Sequence, residues 1–309
     1  MKLSACSIIL LLALFCLTLS HPTNAQRGGQ AYPDSVVKRS DMYCAGYISE
    51  STLWPDVYII GGEKENFKNS FSQGDVVFMN KGRNAGVRAG QTYSVIRPVG
   101  KMKHPFNKKR KMGTYVHEVG MIRVIQVNDK TSTAEVTVSC EMIEMGDMLK
   151  IYEEQLAPEP RAGEPLPLHG ESSGDLSGQI VLARHGREYI ATGDVVYIDV
   201  GETKGVKTGD YFTIYHAITD DWENVGKYPQ DKIDQWRSRD YQSDHWRGGT
   251  FSNQAPRVKR NDVVRERPEI PRKVLGEMIV LKVEKGSATC VITRSVGEAN
   301  IGDWVERNN

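Results

Sequence analysis

Two stretches of this chain align without a gap. Residues 74 to 96 read GDVVFMNKGRNAGVRAGQTYSVI, and residues 193 to 215 read GDVVYIDVGETKGVKTGDYFTIY. Gly74, Asp75, Gly82, Gly86, Val87 and Gly90 return as Gly193, Asp194, Gly201, Gly205, Val206 and Gly209. Other positions keep their character, with Phe78 becoming Tyr197, Met79 becoming Ile198 and Arg88 becoming Lys207. Such a repeat restricts the fold to a structural unit that can be built twice.

Each copy opens on a Gly-Asp turn and continues as a short, β-branched apolar run. Glycines spaced by four follow. This pattern predicts a strand, a glycine-dependent turn and a second alternating strand. Glycine supplies the positive φ the turn needs, and Val87 or Val206 can point inward to pin the loop. Asp75 and Asp194, beside glycine at a strand entrance, read as turn residues that accept backbone N–H groups. A phosphate cradle would deliver the chain into a helix, and here a strand follows.

The similarity resumes after an insertion in each copy, at VGMIRVIQV from Val119 and at LGEMIVLKV from Leu275, and both copies end on a Gly-Asp pair, Gly146-Asp147 and Gly302-Asp303. A first strand is expected at CAGYIS, from Cys44, and at SGQIVLAR, from Ser177. The predicted fold is mainly β. It comprises two tandem small β-barrel or sandwich modules with long loop insertions, joined by a Pro-rich linker. Module 1 is placed at residues 41–155 and module 2 at 176–309, with an insertion at 216–273. The linker, residues 156–175, carries Pro158, Pro160, Pro165 and Pro167 and reads as extended and semi-stiff, so that the modules are spaced without rigid docking.

At the N-terminus, Lys2 precedes an apolar run from Ile8 to Leu17, and Thr23 and Ala25 fit a small-residue cleavage site. Residues 1–25 are therefore expected to be a secretory signal peptide, followed by a linker at 26–40. The run is short for a membrane span, so no stable transmembrane anchor is expected. The chain holds 40 Lys and Arg against 39 Asp and Glu, and removing the leader takes only Lys2, leaving a formally neutral remainder. That balance argues against nucleic acid as a partner.

Beyond the leader, Cys44, Cys140 and Cys290 form no CxxC or metal-ligand spacing. Either Cys44 pairs with Cys140 and leaves Cys290 single, or all three are small buried hydrophobes. GESSG, residues 170 to 174, matches a nucleophile elbow around Ser172, but no strand precedes it. HEVGM, from His117, lacks the second histidine of a zinc-protease helix, because Met121 stands in its place. We therefore expect no catalytic residue, no metal and no cofactor.

Two insertions are the candidate partner contacts. KMKHPFNKKRKMG concentrates Lys101, Lys103, Lys108, Lys109, Arg110 and Lys111, which either meet an anionic surface or form a solvated hairpin tip. The insertion in the second copy carries Trp222, Trp236 and Trp246, a residue type favoured at contact surfaces. The plainer reading folds these rings back onto the barrel.

The pattern G-D-V-V-x-[ILM]-[ND]-x-G-x-x-x-G-V-[KR]-x-G, with its later hairpin and closing Gly-Asp, resembles the C-terminal domain of flagellar assembly protein T. The resemblance covers roughly residues 41–155 and 176–307 and implies an exported envelope protein associated with a ring around the flagellar motor. The leading expectation is a non-catalytic periplasmic, envelope-associated or secreted protein that scaffolds or binds an envelope assembly. Its partner would be an envelope protein complex or a cell-wall polymer. The alternatives are a peptidoglycan- or glycan-binding module using the three tryptophans, and an envelope hydrolase using Ser172. Oligomeric state is left open.

Overall fold

The computed structural model describes residues 37, 39–51, 54–63, 69–154, 157–158, 161, 165–171, 173–216 and 271–308. The leader, Ser172, Pro160 and the three tryptophans of the long insertion lie outside the described residues. A short helix, α1 (Arg39–Cys44), leads into β1 (Tyr47–Ser49). The next strands are β2 (Ile59–Gly62), β3 (Ser70–Phe71), β4 (Val76–Met79), β5 (Thr92–Lys103), β6 (Lys111–Val127), β7 (Ser132–Ser139), β8 (Ile143–Glu144) and β9 (Met148–Ile151). Then follow β10 (His169–Gly170), β11 (Ser177–Ala183), β12 (Val195–Ile198), β13 (Tyr211–His216), β14 (Arg272–Val283), β15 (Ala288–Ser295) and β16 (Trp304–Arg307).

The protein is mainly β, and its strands form two antiparallel barrels of the same connectivity. In barrel 1 the order is β2-β4-β7-β6-β5-β9. The Tyr58↔Met148 bridge, with hydrogen bonds from Ile59 N to Asp147 O and from Leu149 N to Val57 O, joins β9 back to β2. In barrel 2 the order is β14-β13-β16-β11-β12-β15, and β15 pairs with β14 to close the ring. Closure leaves no long unpaired edge on either ring.

Alternation fills each interior. Val77, Met79, Val95, Ile122, Val124, Ala134 and Val136 fill barrel 1. The matching Val196, Ile198, Ile214, Met278, Val280, Cys290 and Ile292 fill barrel 2.

The glycines of the repeat serve two separate needs. Gly82 and Gly201 have extended backbones, with φ −135° and −150°, yet a Cβ there would meet the carbonyls of Asn128 and Glu284 at 2.3 and 2.2 Å. These two permit the chain to pass against the tip of the β6–β7 or β14–β15 hairpin. Gly86 and Gly205 instead end a 3₁₀ turn at φ +81° and +77°, a region that disfavours any side chain. Val87 and Val206 follow them into the two cores.

Two sequence expectations need correction. CAGYIS supplies a strand, but β1 lies off the barrel 1 path and pairs with β6, Tyr47 opposite Val116. The strand equivalent to β11 is β2, in the run VYIIGG. The reason is steric as well as apolar: Gly46 sits at φ +70° against the Val116 carbonyl, and Ile48 is buried among side chains of barrel 2. The barrels also pack against a shared buried cluster, where modules spaced by the linker were expected. The N-terminal segment and the far half of the β5–β6 hairpin fill the space between the barrels. Met42, Ala45, Ile48 and Met112 pack there with Val181, Val195, Tyr197, Ile279, Leu281 and Val291 in one buried cluster.

Candidate functional site

The basic loop singled out in the sequence is the tip of an arm. Strands β5 and β6 run well past barrel 1, and their alternation continues into the charged stretch. Met102, His104, Arg110 and Met112 turn inward, whereas Lys101, Lys103, Lys109 and Lys111 stay exposed. On barrel 2, His104 and Arg110 meet Asp199. Arg110 donates through Nη1 to Asp199 Oδ2 and through Nη2 to the Asp199 carbonyl, both at 2.5 Å. His104 Nδ1 accepts the N–H groups of Phe106 and Asn107, which leaves the ring proton on Nε2, 3.4 Å from Asp199 Oδ2. The Phe106 ring covers Gly302, where a Cβ would approach it to 2.5 Å. Arg110 is therefore committed to the other barrel, while Lys108, Lys109 and Lys111 face solvent.

Further along the seam, Lys282 of β14 pairs with Glu118 of β6, and both side chains are largely buried. Glu118 also accepts the N–H of Gly46. The Tyr197 hydroxyl donates to the Ala45 carbonyl at 2.6 Å, and the Tyr115 hydroxyl lies 3.0 Å from it. Burial pushes both phenols up, away from ionisation. Ser287 and Thr289 donate to the carbonyls of Ile48 and Gly46. The backbone of the N-terminal segment is thus satisfied by side chains of barrel 2, as a buried chain requires.

The Cys44–Cys140 disulfide ties α1 to the end of β7, and Cys290 is free and buried in the core of barrel 2. Burial raises the Cys290 thiol far above the range in which it would react. At the outer rim of the seam, His117 Nδ1 lies 3.1 Å from Glu141, and His185 of the other barrel stands 3.9 Å from the same carboxylate. Burial, then the adjacent Arg184, holds His185 below the ordinary imidazole range. Among the described residues, no group of three His, Cys, Asp or Glu side chains is arranged to hold a metal ion. No described helix is long and apolar enough to cross a membrane.

The repeat signature sits elsewhere, at the lips of the barrels, and its members are not gathered into one site. Asp75 accepts the N–H of Ser72 at 2.8 Å, and Asp194 accepts that of Ala191 at 3.0 Å. Gly74 and Gly193, at φ +86° and +87°, donate to Val136 and Ile292. Gly90 and Gly209, at φ +83° and +91°, donate to Val124 and Val280. The seam residues were missed because they come from positions remote in sequence. The period-two alternation of Met102, His104, Arg110 and Met112 was the available signal for the arm.

These geometries do two things. They lock two barrels into one body, and they leave a row of lysine ammonium groups facing outward on the arm. The family model of flagellar assembly protein T, C-terminal domain, matches residues 74–151, which run from the turn before β4 to the end of β9. No curated protein matches the chain. Barrel 1, from β4 onward, is a flagellar assembly protein T C-terminal-like module.

Proposed function

We propose that this chain is a non-catalytic, exported envelope protein that scaffolds a flagellar-assembly-related complex. The match of residues 74–151 to the flagellar assembly protein T C-terminal domain carries this reading. The geometry is compatible with it: barrel 1 and barrel 2 are joined through a disulfide-tied N-terminal segment and a β-arm, which suits a part that must hold a fixed orientation. The arm supplies a contact surface, because Lys101, Lys103, Lys108, Lys109 and Lys111 are exposed while Arg110 anchors the tip from below. An acidic face of an envelope partner would complement it.

Crosslinking in intact cells of the native host, followed by identification of the attached molecules, tests the proposal. Motor or envelope-ring proteins are the expected products, and substituting Lys108, Lys109 and Lys111 by Glu reduces their yield while leaving the fold intact. Recovery of wall fragments instead, lost when Trp222, Trp236 and Trp246 become Ala, overturns it in favour of glycan binding.

A further inference from the structure

Beside the Glu118–Lys282 pair, the seam opens into a cleft of about 190 Å³. That volume is below the range of drug-sized pockets and suits a small polar molecule. Both barrels wall it: Ser94 and Lys150 come from barrel 1, Lys282 and Glu284 from barrel 2, and Tyr47 from the strand laid between them.

The floor is already satisfied, since Glu118 accepts Lys282 on both oxygens and Gly46 besides. Three other groups on the cleft make no hydrogen bond or ion pair with a described side chain. Tyr47 is 8% exposed, lines the cleft, and its hydroxyl has no hydrogen-bond partner among the described residues. Glu284 is half-buried at the end of β14, and no described side chain pairs with it. Lys150 holds its ammonium 5.8 Å from the centre of the Tyr47 ring, with no described carboxylate in ion-pair contact. Lys150 is exposed and Glu284 half-buried, so the cleft presents charges of opposite sign to solvent from its two walls.

We propose that this cleft binds a small zwitterion of the amino-acid type, its ammonium received by Glu284 of barrel 2 and its carboxylate by Lys150 of barrel 1, with the Tyr47 hydroxyl as a third contact. A ligand with only one charge satisfies one wall and leaves the other bare. Because the charged groups stand on different barrels, such a ligand bridges the seam and stabilises the docked pair.

Burial works against ionised Glu284 and pushes its carboxyl above the ordinary range, with Lys150 opposing and Glu50 and Glu118 adding to the rise. Lys282 and Glu153 are the other charged groups of the cleft. An incoming ammonium favours the ionised carboxylate. Affinity therefore falls as pH drops through the raised Glu284 range, before the ligand's own carboxylate titrates.

Calorimetry on the full chain tests this with glycine, 4-aminobutyrate and 6-aminohexanoate, which space the two charges progressively, against n-butylamine and butyrate. At least one zwitterion is expected to bind saturably at millimolar concentration, about tenfold tighter than either single-charge probe. Glu284→Gln and Lys150→Met should each weaken it about tenfold, and Glu284→Gln should also flatten the pH profile. Absence of saturable zwitterion binding, equal binding of n-butylamine, or unchanged affinity in Glu284→Gln overturns the proposal. Circular dichroism of each variant separates loss of the site from loss of the fold.

Discussion

Opposite Val76 on the outer face of barrel 1 stands Glu135, and next to Glu135 stands Arg123, 3.6 Å away in an exposed ion pair. The same three places on barrel 2 hold Val195, Val291 and Ile279, which are buried. Ile125 is 47% exposed on barrel 1, and its counterpart Leu281 is fully buried. One fold has thus been given two outsides. Barrel 1 has an inner face that is apolar and an outer face that is solvated, the ordinary state of an antiparallel sheet. Barrel 2 is apolar on both sides along β12, β14 and β15, because α1, β1 and the arm lie on it. Repeated strands can thus keep one interior and differ in what covers them.

The strongest way to break the asymmetry is to give barrel 2 the outer residue of barrel 1. Ile279→Arg buries an unpaired guanidinium and should destabilise the chain by more than about 4 kcal/mol in urea unfolding. Arg123→Ile, the reverse exchange, should change stability by within about 0.5 kcal/mol. A smaller but still large effect is expected at Lys282, whose loss as Lys282→Met leaves Glu118 buried without its partner, at about 3 to 4 kcal/mol. Adding Glu118→Gln to that variant should recover part of the loss. At the matching place on barrel 1, Gln126→Met should be nearly silent.

Replacing Cys44 and Cys140 together by Ser should destabilise by about 2 to 3 kcal/mol, with a lowered Tm. Cys290 should resist alkylation until barrel 2 unfolds, since its thiol is both enclosed and held protonated. The turns sharpen the likeness between barrels rather than the difference. Asp75→Ala and Asp194→Ala should each lower stability by about 1 kcal/mol, chiefly through loss of the charge-assisted hydrogen bond from the turn N–H of Ser72 or Ala191. The additional Arg187 contact of Asp194 is exposed and adds little.

The smallest expected effect is on pH dependence. A carboxyl raised by burial holds its proton more tightly folded than unfolded. Its contribution therefore declines as pH rises from the ordinary carboxylate range through the raised Glu284 range. Glu284→Gln should remove that decline, as read by Tm against pH without added ligand.

Much of the barrel was legible in the sequence. Glycines at fixed spacing and the Val-Val runs marked the strands and turns of both copies, and they do so because backbone sterics act locally. Even part of the asymmetry was written there, since Phe78 becomes Tyr197 and the added hydroxyl now holds the Ala45 carbonyl. What could not be read was which outer face would be covered. Val291 in place of Glu135 shows that a face is apolar, but only the pairing of β1 with β6 brings Ile48 to it. The arm was obscured for a related reason. Its lysines dominate the composition of the stretch, while its contacts depend on every second residue. Partners for Glu118 and Asp199 lie 164 and 89 residues away in sequence, beyond any local pattern.

The short strand β1 also has a mechanical consequence. Its entry is bonded to barrel 1 through Cys44 and Cys140, and its backbone is gripped by Ser287, Thr289 and Tyr197 of barrel 2. Tension applied to the chain at α1 is divided between the barrels instead of peeling one from the other.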